Sequence, residues 1–159
     1  FEGSLRRLRT DRVELLQIHG VRANEDLATW GKPKGVFKAL EKLRDQKVAR
    51  FIGVTGHESA EVLCQAISMY EFDTVLTTFN PMATRRVYQE RVLRLANKKQ
   101  MGVQAMKVMG GELGSLAIGN PLKNDGKPHH DDAAQQATAG ELIRYVLVLT
   151  IAVAVVWMS

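Results

Sequence analysis

The sequence predicts an α/β fold in which five parallel strands alternate with helices. Apolar segments with strand character are separated by segments whose apolar residues recur at helical spacing. Such alternation produces right-handed βαβ units, and therefore a parallel sheet with helices packed against it. The strand segments are nearly continuous apolar runs, which is typical of strands that are buried on both faces.

The predicted strands follow one another at regular intervals along the chain. Each one combines β-branched or aromatic residues with a polar or glycine-containing end, and Pro81 stops the third. They are "VELLQIHG" (13–20), "ARFIGVTGH" (49–57), "FDTVLTTFNP" (72–81), "GVQAMKVMGG" (102–111) and "IAVAVVWM" (151–158).

One predicted helix lies between each pair of successive strands. In the first, apolar residues recur at helical spacing, at Val36, Phe37, Ala39, Leu40 and Leu43. The second begins after Ser59, a residue type that caps helix N-termini well. The predicted helices are 35–46, 59–70, 86–99 and 140–149.

Length, composition and charge indicate one globular domain. The chain has 159 residues, of which 45% are hydrophobic and 25% charged. Its net charge of +5 is divided among small basic groups that are interleaved with acidic and apolar residues. This pattern is typical of solvated helix faces, and zinc-ligand spacing and aromatic RNA-binding motifs are lacking. We therefore expect no nucleic-acid partner.

Cysteine content and hydropathy bear on the compartment. The single cysteine, Cys64, excludes an internal disulfide and fits a reducing, cytoplasmic environment. We expect Cys64 to be a buried small hydrophobic residue of a helix. The apolar run 145–158 has 14 residues, short of the roughly 20 that span a bilayer, so no membrane anchor is expected. Because the chain starts at Phe1 and stops just after this run, we expect it to be part of a longer protein.

Polar residues and glycines mark the carboxyl ends of four of the five predicted strands. A single histidine at a strand end is more often part of the core. Ligands of parallel α/β folds bind at the carboxyl edge of the sheet, however, so four polar strand ends together predict a shared site. A doubly wound nucleotide-binding fold would carry a G-x-G-x-x-G turn, which is absent here, whereas a barrel needs none. These strand ends are His19-Gly20, Thr55-Gly56-His57, Asn80-Pro81 and Lys107 with Gly110-Gly111.

Four segments resemble the aldo/keto reductase family and occur in the order of that family: "SLRRLRTDRVELLQIH", "ALEKLRDQKVARFIGVTGH", "FDTVLTTFNP" and "MGVQAMKVMGG". The resemblance extends from about Ser4 to Met158. It implies a partial TIM, or (β/α)8, barrel in which the five strands are the fourth to eighth. Because a complete barrel takes about 250 residues, residues 1–159 would form one partial barrel domain without its first three βα units.

The resemblance also implies an activity, a cofactor and site residues. Members of the family reduce aldehyde and ketone carbonyls with NADP(H), using an Asp, a Tyr, a Lys and a His. The His corresponds to His19, and the other three would lie upstream of this chain. Cofactor contacts are implied for Thr55, at a position where the family holds the nicotinamide carboxamide, and for Lys107, Gly110 and Gly111 near the pyrophosphate.

Several residues depart from the family pattern. Gly56 replaces an asparagine, Leu76 a glutamine, Met106 an aromatic residue and Trp157 a glycine. These departures favour an alternative, in which the chain is a catalytically inactive barrel remnant that acts as a scaffold or nucleotide-sensing interaction module. The unpaired edges of a five-stranded sheet also predict self-association. No metal is expected, since the histidines and aspartates at 129–132 fit no standard site.

The segment 112–139 is the longest predicted connection and follows the fourth strand. It is rich in Gly, Asn, Asp, Lys and Pro, as in "GNPLKNDGKPHHDDA". Loops of this length are uncommon unless they serve a function. We therefore expect it to lie over the same carboxyl edge as the predicted site.

Overall fold

The strands form one parallel sheet. The computed structural model describes residues 1–80, 85–108, 139–149, 151 and 153–154. Within these ranges the strands are adjacent in the order in which they occur in the chain, and all pairs are parallel. The predicted α/β class is therefore confirmed. The strands are β1 (Val13–Ile18), β2 (Ala49–Gly56), β3 (Thr74–Thr78), β4 (Gly102–Met106) and β5 (Val153–Ala154).

The helices that connect the strands lie where the apolar spacing predicted them. The side chain of Ser59 accepts a hydrogen bond from the Val62 N–H, so the predicted helix cap is confirmed. Two short elements were not predicted: α1, which buries no residue, and a 3-10 turn at Leu27–Thr29. The α-helices are α1 (Glu2–Leu8), α2 (Val36–Asp45), α3 (Ala60–Met69), α4 (Arg94–Lys98) and α5 (Ala139–Leu147).

The predicted helix 86–99 differs from the structure in its first half. Tyr88–Leu93 form a π-helix that continues directly into α4. A π-helix pairs residues five apart, and Tyr88 and Leu93, which have that spacing, are both buried. The wider turn thus lets both side chains reach the core.

The core lies between the sheet and the helices. On this side of the sheet six residues of β2, β3 and β4 are at most 2% exposed, whereas Leu16 and Ile18 of the edge strand β1 are half-buried. Helices α2, α3 and α4 pack against these strands. Alternate strand residues point to opposite faces, which explains why every second position belongs to this set. The set comprises Ile52, Val54, Val75, Thr77, Val103 and Ala105.

The opposite side of the sheet, here called the open face, is only partly covered. On it Gln17 donates to Thr74 Oγ1 and to Gln104 Oε1, each at 3.4 Å, across strands β2 to β4. Gly53 lies between Gln17 and Thr74 in the register and provides the space for this bridge. Gly53 is buried and Phe51 is 40% exposed, and the other residues of the open face are half-buried. The open face comprises Leu15, Gln17, Phe51, Gly53, Thr74, Leu76, Gln104 and Met106.

Cys64 is half-buried on α3 rather than fully buried. Desolvation raises the pKa of its thiol, nearby Arg91 lowers it, and Glu61 raises it further. Because the thiolate is the reactive species, we expect Cys64 to react with a disulfide reagent more slowly than free cysteine at pH 8. Unfolding in urea should restore the normal rate. Equal rates for the folded chain and free cysteine would contradict this.

Candidate active site

One buried polar side chain ties each neighbouring pair of strand ends at the carboxyl edge, from β1 to β4. The three tying residues are Thr55, Thr77 and Asn80, which are 4%, 0% and 3% exposed. Buried polar groups are stable only when they are hydrogen-bonded, and each of these bonds to an adjacent strand or its following residues. The carboxyl ends of β1 to β4 are therefore joined to one another by buried hydrogen bonds.

Thr55 connects β2 to the segment that follows β1. Its Oγ1 accepts a hydrogen bond of 2.8 Å from the N–H of Gly20, and its carbonyl oxygen accepts one of 2.8 Å from the N–H of Val21. Gly20 has a φ of 68°, a left-handed conformation that glycine adopts readily. His19 directly precedes this glycine, and its side chain is exposed.

Thr77 and Asn80 make the next two connections. The hydroxyl of Thr77 donates to the carbonyl of Gly56 at 2.5 Å and joins β3 to β2. The amide of Asn80 donates to the carbonyl of Lys107 at 3.1 Å and joins the end of β3 to that of β4. Lys107 has a left-handed φ of 55°, so Asn80 holds a backbone conformation that lysine seldom adopts.

Three cationic or basic side chains meet beside these ties. Lys107 Nζ lies 3.2 Å from His57 Nδ1, and Arg85 donates to the His57 carbonyl at 3.1 Å. An ammonium group can only donate, so His57 Nδ1 is the acceptor in this pair. Lys107 and Arg85, which both contact His57, thus give the carboxyl edge positive charge that suits an anionic ligand.

The structure places the predicted residues His19, Thr55 and Lys107 at this common edge, after β1, in β2 and after β4. Gly110 and Gly111 lie outside the described residues. Within the described residues Thr55 Oγ1 accepts the Gly20 N–H and donates to no acceptor, and a hydroxyl can do both.

Sequence reasoning missed the contribution of Arg85 and the tying roles of Thr77 and Asn80. The basic pair "RR" after the third strand was the one available signal for Arg85. A basic pair in the sequence does not indicate in which direction either side chain points. Thr77 and Asn80 occur at strand ends, but strand-end polarity alone does not identify the neighbouring carbonyl to which each side chain bonds.

All three tyrosines lie away from the carboxyl edge, in the helical layer. The Tyr70 hydroxyl donates to the Leu27 carbonyl at 2.5 Å and accepts from the Gly31 N–H at 3.0 Å. The Tyr145 hydroxyl donates to Gln89 at 2.7 Å; burial raises its pKa, and Arg86 acts in the opposite direction. Tyr88 is 2% exposed in the π-helix.

Tyr70 permits a test of the packing beneath the β1–α2 loop. Replacing Tyr70 with phenylalanine leaves the Gly31 N–H and the Leu27 carbonyl without their common partner. We expect the free energy of unfolding to fall by about 1–3 kcal/mol, as for other buried groups that lose a hydrogen bond. Urea unfolding measures this change. An unchanged midpoint would show that water replaces the hydroxyl.

The searches for a metal site and a membrane span cover only the part of the chain that the structure describes. In that part, no three His, Cys, Asp or Glu side chains converge as a metal site would require. No helix there combines the length and apolar character needed to span a bilayer. The histidine and aspartate run at 129–132 and residues 155–158 of the apolar run lie outside it.

A parallel sheet wound from successive βα units, with its strands adjacent in chain order, is the arrangement of barrel-type α/β folds. The sequence profile of the aldo/keto reductase family matches residues 1–154. The chain therefore belongs to the aldo/keto reductase family. Its assignment to the fourth to eighth barrel strands stays a prediction.

Solved structures show the same fold. A protein from Pseudomonas aeruginosa assigned as an aldo-keto reductase matches 99% of this chain and 50% of its own, with 22% identity and a TM-score of 0.60. An aldo/keto reductase from Brucella melitensis matches 70% of this chain and 40% of its own, with 23% identity and a TM-score of 0.53. The chain thus spans about half the length of these reductases. No curated protein matches it significantly.

Proposed function

We propose that this chain forms the NADP(H)-binding edge of a cytoplasmic oxidoreductase that reduces aldehyde or ketone carbonyls. The observation that carries the proposal is that His19, Thr55 and Lys107 share one sheet edge, supported by the rigid ties between the strand ends. Family membership supports the reaction type. The bound cofactor would supply the hydride that is added to the carbonyl carbon.

The residues of this edge fit a dinucleotide. The Thr55 hydroxyl would donate its free proton to the carboxamide oxygen while it accepts from Gly20. Lys107 and Arg85 would attract the phosphates, because Lys107 contacts the ring of His57 and Arg85 contacts its carbonyl, which places both cations at this residue. Gly110 and Gly111 would add backbone N–H donors near the pyrophosphate.

His19 would act on the substrate. Its exposed ring at the end of β1 would donate a hydrogen bond to the carbonyl oxygen and orient it. As hydride reaches the carbon, the oxygen gains negative charge and takes up a proton. The family resemblance implies that a tyrosine supplies this proton, from βα units that precede this chain in family order.

Removal of the Lys107 charge tests the cofactor site. We expect Lys107→Gln to weaken NADPH binding about tenfold, the equivalent of roughly 1.4 kcal/mol. The measurement is a titration of NADPH fluorescence. Lys38→Gln is a matched control, since Lys38 lies on α2 and pairs with Glu41 on the helix surface. Equal loss in both variants, or no NADPH binding by the parent chain, would refute the proposal.

A second candidate, an inactive nucleotide-sensing scaffold, is favoured by the tyrosine positions. All three tyrosines lie in the helical layer, so no phenol can serve as proton donor at this edge. The discriminating measurement is NADPH oxidation with a small aldehyde. The scaffold would be favoured if NADPH binds but is not oxidised, both with this chain alone and with the chain fused to the missing βα units of a family member. Turnover would favour the reductase.

We also propose that the chain self-associates or pairs with further βα units through its uncovered sheet surfaces. Within the described residues β1 pairs only with β2, so its other edge keeps free backbone groups. The open face adds Phe51, which is exposed on β2, one strand in from this edge. Sedimentation at increasing concentration should show dimers or larger species.

A further inference from the structure

We propose that Thr55 is a positioning residue for His19, through its hold on the Gly20 amide. The two residues that follow His19 both donate to this one residue, Gly20 to the Thr55 hydroxyl and Val21 to the Thr55 carbonyl. The role of His19 in catalysis rests on the proposed function, whereas the geometric link between Thr55 and His19 does not.

The link works because His19 is immediately followed by the residue that Thr55 holds. β1 ends at Ile18, so the strand ladder no longer fixes the backbone of His19. From this point the direction of the histidine Cα–Cβ bond depends on the peptide that joins His19 to Gly20. The 2.8 Å bond from the Gly20 N–H to Thr55 Oγ1 orients that peptide.

The side chain of Thr55 suits this role. As a β-branched residue it has few χ1 rotamers, so its hydroxyl has a defined direction. Thr55 is only 4% exposed, which limits the access of water that could replace the hydroxyl as the acceptor for Gly20. Valine has nearly the same shape and lacks the acceptor, so Thr55→Val removes this bond with little change in packing.

Gly20 provides an independent way to disturb the same peptide. A Cβ at Gly20 would meet no atom within 4 Å, so Gly20→Ala creates no clash. Its φ of 68° is unfavourable for alanine by about 1–2 kcal/mol. The substitution therefore strains the backbone next to His19 without touching Thr55, and we expect it to give the same effect on His19 as Thr55→Val.

The test uses NMR of the cofactor-free chain, so that effects on NADPH binding do not enter. In Thr55→Val we expect hydrogen exchange of the Gly20 amide to accelerate at least tenfold, and the His19 ring resonances to shift and narrow as the ring becomes mobile. Thr55→Ser, which keeps the hydroxyl, should restore both. Thr77→Val is the matched control, because it removes another buried hydroxyl, one strand further along the same edge.

The outcomes separate the link from general destabilisation. If Thr55→Val leaves the His19 signals unchanged, or if Thr77→Val changes them equally, the positioning role is overturned. The positioning role is supported if the His19 signals change in Thr55→Val and in Gly20→Ala but not in Thr77→Val. Failure of the parent chain to bind NADPH would refute the cofactor site and leave this result intact, so the two proposals fail separately.

Discussion

Replacing Gly53 with alanine is expected to lower the free energy of unfolding by about 3 kcal/mol, the upper end of the range for overpacked interiors. A Cβ at this position would overlap Thr74 Oγ1 and lie 3.1 Å from Gln17 Cγ. Thr74 is held within the parallel sheet, and Gln17 crosses Gly53 to reach it. Relief of the clash would therefore break the polar bridge on the open face.

Urea unfolding followed by circular dichroism measures the Gly53 effect. Gly140→Ala is the matched control, because its Cβ would meet only Arg144 Nη2 at 3.9 Å on α5, and alanine favours helices. In the double variant Gly53→Ala/Thr74→Ala we expect part of the loss to be recovered, since the overlapping oxygen is gone. Equal stability of the Gly53→Ala and parent chains would contradict the register of β2 and β3.

Replacing Gly35 with alanine should have an effect of similar or larger size, about 3 kcal/mol or more. The new Cβ would overlap the carbonyl oxygens of Thr29 and Trp30, which belong to the backbone and cannot rotate away. Gly35 is the N-cap of α2, and its own N–H donates to Lys32 at 2.7 Å. The loop before α2 would have to move away from the helix.

The fluorescence of Trp30 reports this movement directly, because Trp30 is 3% exposed and stacks near Tyr70 at a centroid distance of 5.9 Å. A red-shifted emission of folded Gly35→Ala would show that the loop has separated from its aromatic neighbours. Gly3→Ala on the exposed helix α1, whose Cβ would lie 3.7 Å from Arg7 Nη1, should leave this emission unchanged. An emission identical to the parent in Gly35→Ala would contradict the packing described for this loop.

The strands and most helices could be predicted because their signal is local. The apolar run of β2 and the periodic spacing in α2 each identify their element without reference to the rest of the chain. The π-helix could not be predicted, since the same residues also satisfy α-helical spacing and the choice depends on which core sites Tyr88 and Leu93 fill. Helix α1 has only seven residues, too few for its apolar spacing to distinguish a helix from a loop.

The candidate site could be predicted as a location but not as a network. Topology alone brings His19, Thr55 and Lys107 to one edge, because parallel strands end on the same side. The Asn80 bond to the Lys107 carbonyl depends on the left-handed backbone at Lys107, which the sequence does not signal at a lysine. The bond from Gly20 to Thr55 likewise depends on the β1–β2 register.

Thermal unfolding with and without NADPH tests the central claim that this sheet edge is a nicotinamide cofactor site. A ligand that binds only the folded chain at about 100 times its dissociation constant adds about 2.7 kcal/mol. For a domain of this size, each kcal/mol raises the midpoint by about 2–4 °C, so we expect a rise of roughly 5–10 °C. The rise should shrink in Lys107→Gln. A cooperative transition whose midpoint is the same at every NADPH concentration would contradict the claim.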